Sequence, residues 1–359
     1  MAALRVAVIG AGAFGRNHLR VYRELELAHP GSLESAPVQL AALVDSDAQR
    51  RNDFAQQYNI PAFATVDELL STSLKLDAAS VCVPTIHHAA VAELLLLSGI
   101  DVLIEKPFAA TLAEADRILA LAAQHKRIVQ IGHLERFNPA VTATLAALNK
   151  PMFFEAHRLS IFTPRALDVD VVLDLMIHDL DIVLSLVRSP VKEVRAVGIP
   201  ILSRKADIAN VRVEFESGCV ANFTASRIST EQVRKLRLFQ PHQYLSLDFA
   251  RQELLSIDVD PRLVAGLSAV ADNPQLAAQF FAQASATAAD PSHPTAGFSL
   301  TKADIPKGEP LRLEIEDFLH AVQHRTTPRV SGEAGRAALA LALEINNHIA
   351  AHTQRAGLA

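Results

Sequence analysis

The sequence contains no tryptophan and only two cysteines, Cys82 and Cys219, each inside an apolar run of the kind that forms a strand. Two cysteines so far apart in the sequence form neither a metal cluster nor a disulfide framework. We therefore expect two buried free thiols. A reducing, cytoplasmic setting follows as the default expectation.

Neither sign of charge dominates, because the chain carries 34 basic and 39 acidic residues and has a formal net charge of −5. No run of Lys and Arg is long enough to predict nucleic acid or an anionic membrane as a partner. The longest leucine-rich piece, Leu94–Leu97, is too short to span a bilayer. The N-terminus also begins without the charged and then apolar leader that is typical of secretion. We therefore expect no membrane-spanning segment and no secretory signal.

What the chain does have is enough apolar material for more than one core, with 359 residues of which 50% are hydrophobic. Domains usually contain roughly 100–200 residues, so two domains are expected. The pattern of elements changes near residue 135. We therefore predict one domain over residues 1–134 and a second over residues 135–359.

The first apolar run, Leu4–Ile9, leads directly into Gly10-Ala11-Gly12-Ala13-Phe14-Gly15, and a helical pattern follows. Strand, glycine-rich turn and helix in this order are typical of dinucleotide binding. Gly10 allows the tight turn, Gly12 lets a pyrophosphate approach the backbone, and Gly15 allows close packing of helix on strand. The phosphates of such a ligand lie at the helix N-terminus, where free N–H groups favour anions.

The second predicted strand, Val38–Val44, ends at Asp45. An acidic residue in this place usually accepts the ribose 2′-hydroxyl and repels a 2′-phosphate, which favours NAD over NADP. Asp45 lies 30 residues beyond Gly15, and a predicted loop at 29–37 accounts for the unusual spacing. Two alternatives stay open: Asp45 could only cap the next helix, and the nearby arginines Arg50 and Arg51 keep NADP in consideration.

Strands and helices alternate five times before residue 134, which predicts a doubly wound parallel sheet. One of these strands runs through Asp101–Ile104 into Glu105-Lys106-Pro107. Ligands bind at the carboxyl edge of such sheets, so Lys106 is expected to face a ligand there. The alternative is a surface ion pair at the end of a strand.

Beyond residue 150 the pattern changes to successive short strands, with a hairpin turn at Glu216-Ser217-Gly218. The predicted fold class is therefore α/β, a Rossmann doubly wound parallel sheet followed by an α+β domain with a mostly antiparallel open sheet. Residues 260–308 show little periodicity, although Pro274–Ala288 could form a helix. Two amphipathic helices, Glu314–His324 and Glu333–Thr353, complete the chain.

The segment Val171–Val187 is apolar almost all round, which predicts a buried helix. Its polar residues Asp174, His178, Asp181 and Ser185 recur at helical spacing and are expected on one face. A carboxylate beside an imidazole suits a general base that works near neutral pH. A satisfied core histidine is the alternative. A zinc site is a weaker alternative, because no further cluster of metal-ligating residues supports it.

The segment that joins the two predicted domains, Gly132–Pro139, is dense in polar groups. Arg136 within it could clamp a phosphate or carboxylate, or could form a local ion pair with Glu135. Arg158 and Arg165 lie on and just after the first strand of the second domain. We expect the charged part of a substrate to meet Arg136, Arg158 or Arg165.

Taken together, the glycine-rich segment with His18, the strand end Pro84–His88, Glu105-Lys106-Pro107 and the Asp174/His178 pair resemble the glucose–fructose oxidoreductase, inositol dehydrogenase and rhizopine catabolism (Gfo/Idh/MocA) family. The resemblance covers essentially the whole chain. It implies a Rossmann domain followed by an open α/β domain and NAD(P)-dependent oxidation of a CH–OH group. It also implies a homodimer or homotetramer assembled through the sheet of the second domain.

The resemblance also implies three sets of site residues and no metal ion. The catalytic set is Lys106, Asp174 and His178. The cofactor-binding set is Gly10, Gly12, Ala13, Phe14, Gly15, Asp45, Pro84, Thr85, His88, Glu105, Lys106 and Arg165. The substrate-binding set is Lys106, Arg136, Asn138, Arg158, Asp174 and His178.

Within the family, Gly132–Pro139 and Asp174–Asp179 are most similar to the branch that oxidises C3 of UDP-N-acetylglucosamine. That branch supplies a 3-keto sugar nucleotide to an aminotransferase for amide-linked lipid A. Alternative substrates are a free sugar, an inositol or a dihydrodiol. The sequence is also compatible with a sugar–sugar oxidoreductase that keeps its cofactor, and with a non-catalytic regulator that senses NAD(P).

Overall fold

The computed structural model describes residues 3–28, 38–162, 169–270, 272–286 and 297–358. The chain divides into two compact units: Met1–Phe137 with Gly308–Leu343, and Asn138–Lys307 with Glu344–Ala359. The first segment of the first unit ends close to the predicted boundary at residue 134. The return of residues 308–343 to the first unit differs from the predicted division, which assigned them to the second domain.

The first unit contains a six-stranded sheet in which every neighbouring pair of strands is parallel. Its strands are β1 (Leu4–Ile9), β2 (Val38–Val44), β3 (Ala62–Phe63), β4 (Ala78–Val81), β5 (Asp101–Glu105) and β6 (Val129–Gly132). They follow the spatial order β3-β2-β1-β4-β5-β6. β4, β5 and β6 are buried at every position, as expected of parallel strands that are covered on both faces. The predicted Rossmann sheet is confirmed.

The second unit contains an eight-stranded sheet that is antiparallel except for the pair β7 and β10. Its strands are β7 (Phe153–Leu159), β8 (Val191–Ile199), β9 (Ile208–Phe215), β10 (Val220–Ser226), β11 (Val233–Gln240), β12 (Gln243–Asp248), β13 (Glu253–Val259) and β14 (Phe298–Lys302). Every second residue of β7 is buried, and most of β9 and β10 alternates in the same way. Such alternation indicates that one face of the sheet packs on a core. The predicted α+β class is therefore confirmed.

The helices among the described residues are α1 (Gly15–Ala28), α2 (Ala48–Tyr58), α3 (Val66–Leu70), α4 (His88–Leu97), α5 (Leu112–His125), α6 (Pro139–Ala147), α7 (Ile177–Val187), α8 (Pro261–Val270), α9 (Pro274–Ala286), α10 (Pro310–His324) and α11 (Gly332–Arg355). None of them combines the length and the apolar character needed to cross a membrane. The predicted loop at 29–37 lies outside the described residues. β13, β14 and α8 were not predicted from the sequence.

Helix α10 explains why the chain returns to the first unit. Its apolar positions Leu311, Ile315, Phe318, Leu319 and Val322 recur at helical spacing and are buried in one core cluster. The same cluster includes residues of α1, β1 and β2. Because a parallel sheet must be covered on both faces, a helix with such an apolar stripe has a natural place on it.

The carboxyl edge of the six-stranded sheet gathers the segments that carry the predicted cofactor chemistry. The strand order reverses between β1 and β4, and ligands of open α/β sheets bind at such a switch point. Gly10 follows β1, Asp45 follows β2 and Lys106 follows β5. All three therefore stand at the same edge, as predicted from the alternation of elements.

Candidate active site

The glycine-rich turn after β1 has the geometry that its sequence predicts. Gly10 adopts φ +92°, and a Cβ there would lie 2.8 Å from the carbonyl oxygen of Cys82. A Cβ at Gly15 would lie 1.8 Å from the carbonyl oxygen of Gly10, so no larger residue fits without a shift of the backbone. A Cβ at Gly12 would meet nothing within 4 Å. The backbone geometry therefore requires glycine at positions 10 and 15, whereas Gly12 leaves open space beside the turn.

Asp45 is held at the end of β2 by charge and by backbone donors. Its Oδ2 accepts from Ala11 N–H at 2.7 Å and from Arg50 Nε at 2.9 Å. Its Oδ1 accepts from Asp47 N–H and from Arg50 Nη2, each at 2.9 Å. Burial alone would raise the pKa of Asp45, but Arg50 and these N–H groups outweigh it and hold the pKa below its usual value. Asp45 is therefore a carboxylate at neutral pH.

A cavity of about 540 Å³ opens at this edge of the sheet, and the described residues that line it belong to the first unit. The lining includes Gly10, Gly12, Asp45, Arg50, Pro84 and His87. Apolar side chains such as Ile9, Val66 and Val91 make up much of the remainder. A cavity of this size with a few convergent polar groups is typical of a small-ligand site. Open space at Gly12 and a carboxylate at Asp45 fit the pyrophosphate and the adenosine ribose of a dinucleotide.

A buried chain of hydrogen bonds supports Glu105, the residue before Lys106. His18 Nε2 lies 2.9 Å from Glu105 Oε1, and His18 Nδ1 lies 3.1 Å from Ser80 Oγ. Ser80 Oγ in turn lies 2.8 Å from the Tyr22 hydroxyl. One arrangement of protons satisfies all three bonds: Tyr22 donates to Ser80, Ser80 donates to Nδ1, and Nε2–H donates to Glu105. The motif residue His18 thus acts as a support for Glu105.

Lys106 is half-buried immediately after β5, and its peptide bond to Pro107 is cis. The backbone on the neighbouring strand approaches Glu105 closely, because a Cβ at Gly132 would lie 2.8 Å from the Glu105 carboxylate. Lys106 therefore lies at the carboxyl edge, directly after Glu105. The Glu105 carboxylate is held between His18 and the backbone of Gly132. Lys106 thus stands at the edge where open parallel sheets usually bind their ligands.

His88, predicted to bind the cofactor, is only 1% exposed and forms a bridge between two backbone segments. Its Nδ1 lies 3.0 Å from the carbonyl oxygen of Pro107, and its Nε2 lies 2.9 Å from that of Val83. Burial lowers the pKa of His88, and these carbonyls only partly offset it. A neutral imidazole has a single N–H, so only one of these carbonyl oxygens can accept a hydrogen bond from it, and His88 lies between the turn after β5 and the end of β4. The neighbouring His87, which sequence reasoning missed, lines the cavity instead.

The remaining predicted cofactor residues differ in their surroundings. Pro84 lines the cavity, and Thr85 begins a short 3₁₀ helix, Thr85–His87, that leads into α4. Phe14 packs partly buried with its ring centroid 5.7 Å from that of His18, and Ala13 is exposed at the turn. Arg165 lies outside the described residues.

The Asp174/His178 segment is not a uniform α-helix. A π-helical turn, Val172–Met176, precedes α7. The N–H groups of Val172 and Leu173 at its start donate to Asp170 Oδ1. A π turn takes an extra residue per turn, so the predicted common face is shifted on its N-terminal side. Asp174 and His178 are both half-buried, whereas Asp181 is only 2% exposed. Asp181 is therefore more deeply buried than Asp174 and His178, although it keeps helical spacing with His178 inside α7. π turns are nevertheless frequent at functional sites.

Arg158, predicted to contact the substrate, is buried in an ion pair. Its Nε and Nη2 donate to Asp179 Oδ2 and Oδ1 at 2.9 and 2.8 Å, and both side chains are at most 4% exposed. The guanidinium also lies 5.3 Å from the centroid of the Phe249 ring. A bidentate pair inside the core favours a structural role for Arg158, and its expected contact with the substrate stays a prediction. Sequence reasoning missed Asp179 as its partner.

The two other predicted substrate residues follow β6. Asn138 is 2% exposed, caps α6 by accepting from Ala140 N–H, and donates to the Phe249 carbonyl oxygen. These contacts give Asn138 a structural role in the local fold. Arg136 is half-buried and donates to the Arg329 carbonyl oxygen at 3.3 Å. No group of three metal-ligating side chains is found among the described residues.

Comparison with known proteins adds to this geometry. A family profile described as "Oxidoreductase family, NAD-binding Rossmann fold" matches residues 4–133, and the "GFO/IDH/MocA C-terminal domain" matches residues 141–240. The chain belongs to the Gfo/Idh/MocA family. As a Gfo/Idh/MocA member it is an oxidoreductase, and the cofactor of its Rossmann unit is NAD, both as predicted.

Among Gfo/Idh/MocA proteins, the chain is similar to the UDP-N-acetylglucosamine 3-dehydrogenase of Acidithiobacillus ferrooxidans. The two are 35% identical over 353 residues, which cover 98% of this chain and 99% of that relative. A solved structure of that enzyme superimposes with a TM-score of 0.83 at 34% identity, covering 99% of this chain and 100% of that one. An inositol 2-dehydrogenase of Acidothermus cellulolyticus is 28% identical over 201 residues, covering 54% of this chain and 56% of its own.

Proposed function

We propose that this chain oxidises C3 of UDP-N-acetylglucosamine to a ketone with NAD as the acceptor. The observation that carries the proposal is the 35% sequence identity, over 98% of the chain, to an enzyme named for that reaction. The predicted motifs support it, since Glu105-Lys106-Pro107 and Asp174/His178 are both intact. The product, a 3-keto sugar nucleotide, suits a later amination for amide-linked lipid A.

The chemistry assigns a separate task to each of three side chains. NAD, when bound, accepts the hydride from the C–H bond of the alcohol carbon. His178 takes the hydroxyl proton, and Asp174 orients its imidazole. Lys106, as an ammonium, stabilises the negative charge that develops on the hydroxyl oxygen. Its half-buried place after β5 supports this role, because a partly desolvated ammonium interacts more strongly with an oxyanion than an exposed one does.

The charged part of the substrate requires cationic groups, and Arg136 is the candidate that we carry forward. It is half-buried in the segment after β6, whereas Arg158 is committed to Asp179. We further propose a cytoplasmic homodimer or homotetramer that assembles through the eight-stranded sheet. The two free thiols, Cys82 and Cys219, are consistent with a reducing compartment.

The test is to incubate the protein with NAD and, in parallel, with UDP-N-acetylglucosamine, other UDP-sugars, free sugars and inositol, following reduced cofactor. Substrate deuterated at C3 should transfer its label to the reduced cofactor and yield a product that mass spectrometry finds lighter by one hydrogen and one deuterium. Reduction with inositol or a free sugar but with no nucleotide sugar would overturn the substrate. No reduction and no keto product with any compound would favour the NAD-sensing regulator.

Two substitutions test the assigned roles. Lys106→Ala and His178→Ala should each lower kcat on the order of 10²–10⁴-fold, the usual contribution of an acid or base. NADH binding, followed by fluorescence, should survive in His178→Ala. His324→Ala, an exposed histidine on α10, is the matched control and should retain full activity. Full turnover in His178→Ala would contradict the assignment.

A further inference from the structure

The carboxylate of Asp45 has all of its acceptor sites in use. A carboxylate offers about four lone-pair sites, two on each oxygen. Ala11 N–H and Arg50 Nε occupy Oδ2, and Asp47 N–H and Arg50 Nη2 occupy Oδ1. The ribose hydroxyl of an adenosine needs one of these sites, so binding has to displace one of the four donors.

Of the four donors, only the two on the Arg50 guanidinium can leave without a change of fold. The Ala11 N–H belongs to the glycine-rich turn, and Asp47 caps the N-terminus of α2 by accepting from Arg50 N–H at 2.8 Å. The Arg50 side chain, by contrast, is 41% exposed and lines the same cavity as Asp45. Its backbone is anchored while its guanidinium stands at the mouth of the cavity.

Displacement has opposite consequences for the two nicotinamide dinucleotides. With NAD, the ribose hydroxyl replaces a charge-assisted bidentate contact by a single hydrogen bond, so the Arg50 pair reduces the affinity. With NADP, the 2′-phosphate would be repelled by Asp45. A guanidinium that turns from a carboxylate towards a phosphate keeps a bidentate partner and offsets that repulsion.

We propose that Arg50 is a specificity-determining residue of this site: it competes with the ribose 2′-hydroxyl for Asp45, and once displaced it pairs with a 2′-phosphate. The inference rests on the proposed function only in that a dinucleotide occupies the cavity. The chain therefore binds NAD less tightly than Asp45 alone would allow, and it retains binding of NADP. Asp45 selects for NAD, and Arg50 weakens that selection.

Arg51 provides a matched control on the same helix. Its Nη1 donates to the backbone carbonyl oxygens of Asp45 and Ser46, at 2.8 and 3.5 Å, and not to the carboxylate. Removal of either arginine deletes one positive charge beside the site. Only removal of Arg50 frees the acceptor sites of Asp45.

The experiment measures the Kd of NADH and NADPH without sugar substrate, by fluorescence titration and calorimetry, for the wild type, Arg50→Ala, Arg50→Met and Arg51→Ala. In both Arg50 variants the Kd of NADH should fall about fivefold, the equivalent of the strongest exposed ion pairs. The Kd of NADPH should rise about tenfold or more, because a charged hydrogen bond is lost. Arg51→Ala should change the two values by the same factor.

A weaker binding of NADH in both Arg50 variants, or an unchanged ratio of the two Kd values, would overturn the proposal. Because no sugar is present, a wrong assignment of the substrate leaves the outcome unaffected. Failure of the wild type to bind either dinucleotide would instead overturn the proposed function and the role of Arg50 with it. Arg50→Met keeps the aliphatic stem, so agreement between the two variants excludes a loss of packing as the cause.

Discussion

Replacement of Arg158 by Met tests whether this arginine is structural or faces the substrate. The substitution keeps much of the side-chain volume but leaves the Asp179 carboxylate buried without its bidentate partner. Both side chains are at most 4% exposed, so water cannot compensate. Breaking a buried ion pair by removing one partner costs about 3–5 kcal/mol. On a scale of roughly 2–4 °C per kcal/mol for a unit of this size, Tm should fall by about 6–20 °C.

Thermal unfolding followed by far-ultraviolet circular dichroism measures this shift, since the chain has no tryptophan to report by fluorescence. The matched control is Arg237→Met. Arg237 pairs with Glu155, which lies on the same strand as Arg158, but its pair is 38% and 36% exposed. An exposed pair contributes about 0–1 kcal/mol, so Tm should change little. The double variant Arg158→Met/Asp179→Leu removes both buried charges and should recover most of the lost stability.

The reasoning would be refuted by an Arg158→Met protein with the Tm of the wild type and a raised KM for the nucleotide sugar. That outcome would return Arg158 to the substrate site. A low Tm in the single variant that the double variant does not correct would equally contradict the account, because it would make the Asp179 charge irrelevant.

Two further predictions concern the glycine-rich turn and the effect of pH. Gly15→Ala should cost at least roughly 1–3 kcal/mol of stability and abolish NADH binding, because its Cβ would lie 1.8 Å from the Gly10 carbonyl oxygen. Gly12→Ala should leave Tm unchanged and weaken only NADH binding; equal losses of Tm in the two variants would contradict this. Burial alone would raise the pKa of Asp207, but the N–H groups of residues 201–203 outweigh it and lower the pKa to about 2. Asp207 therefore stabilises the fold above its ordinary pKa of 3.8, by about 2 kcal/mol, and this is lost as the pH falls towards 2. The difference in Tm between the wild type and Asp207→Asn should shrink from pH 6 to pH 2.5, and a constant difference would contradict the pKa shift.

Much of the first unit was predictable because its signals are local. The spacing of Gly10, Gly12 and Gly15 encodes a turn that only glycine satisfies, and short apolar runs between helical patterns encode buried parallel strands. Lys106 could be assigned to the carboxyl edge because parallel strands end on the same side of a sheet. In the second unit, the predicted hairpin turn at Glu216-Ser217-Gly218 was confirmed, because it joins the antiparallel strands β9 and β10.

Other features were not predictable, because they depend on contacts between distant residues. The apolar stripe of α10 is visible in the sequence, but nothing local says which sheet it covers. The polar residues of the π turn and α7 look alike in sequence, although Asp179 lies in the core with Arg158, and Asp174 and His178 are half-buried. His88 likewise resembles a ligand-facing residue until its two carbonyl partners are seen.

By itself, the sequence determined the fold class, the family and the type of cofactor, because glycine spacing and apolar periodicity act over a few residues. Only the tertiary structure decided which charged residues are paired and buried. Arg158 forms a buried ion pair with Asp179, whereas Arg50 pairs with Asp45 and lines the cavity. The physical reason is that burial and pairing set the state of a charge, and both arise from segments that meet only after folding.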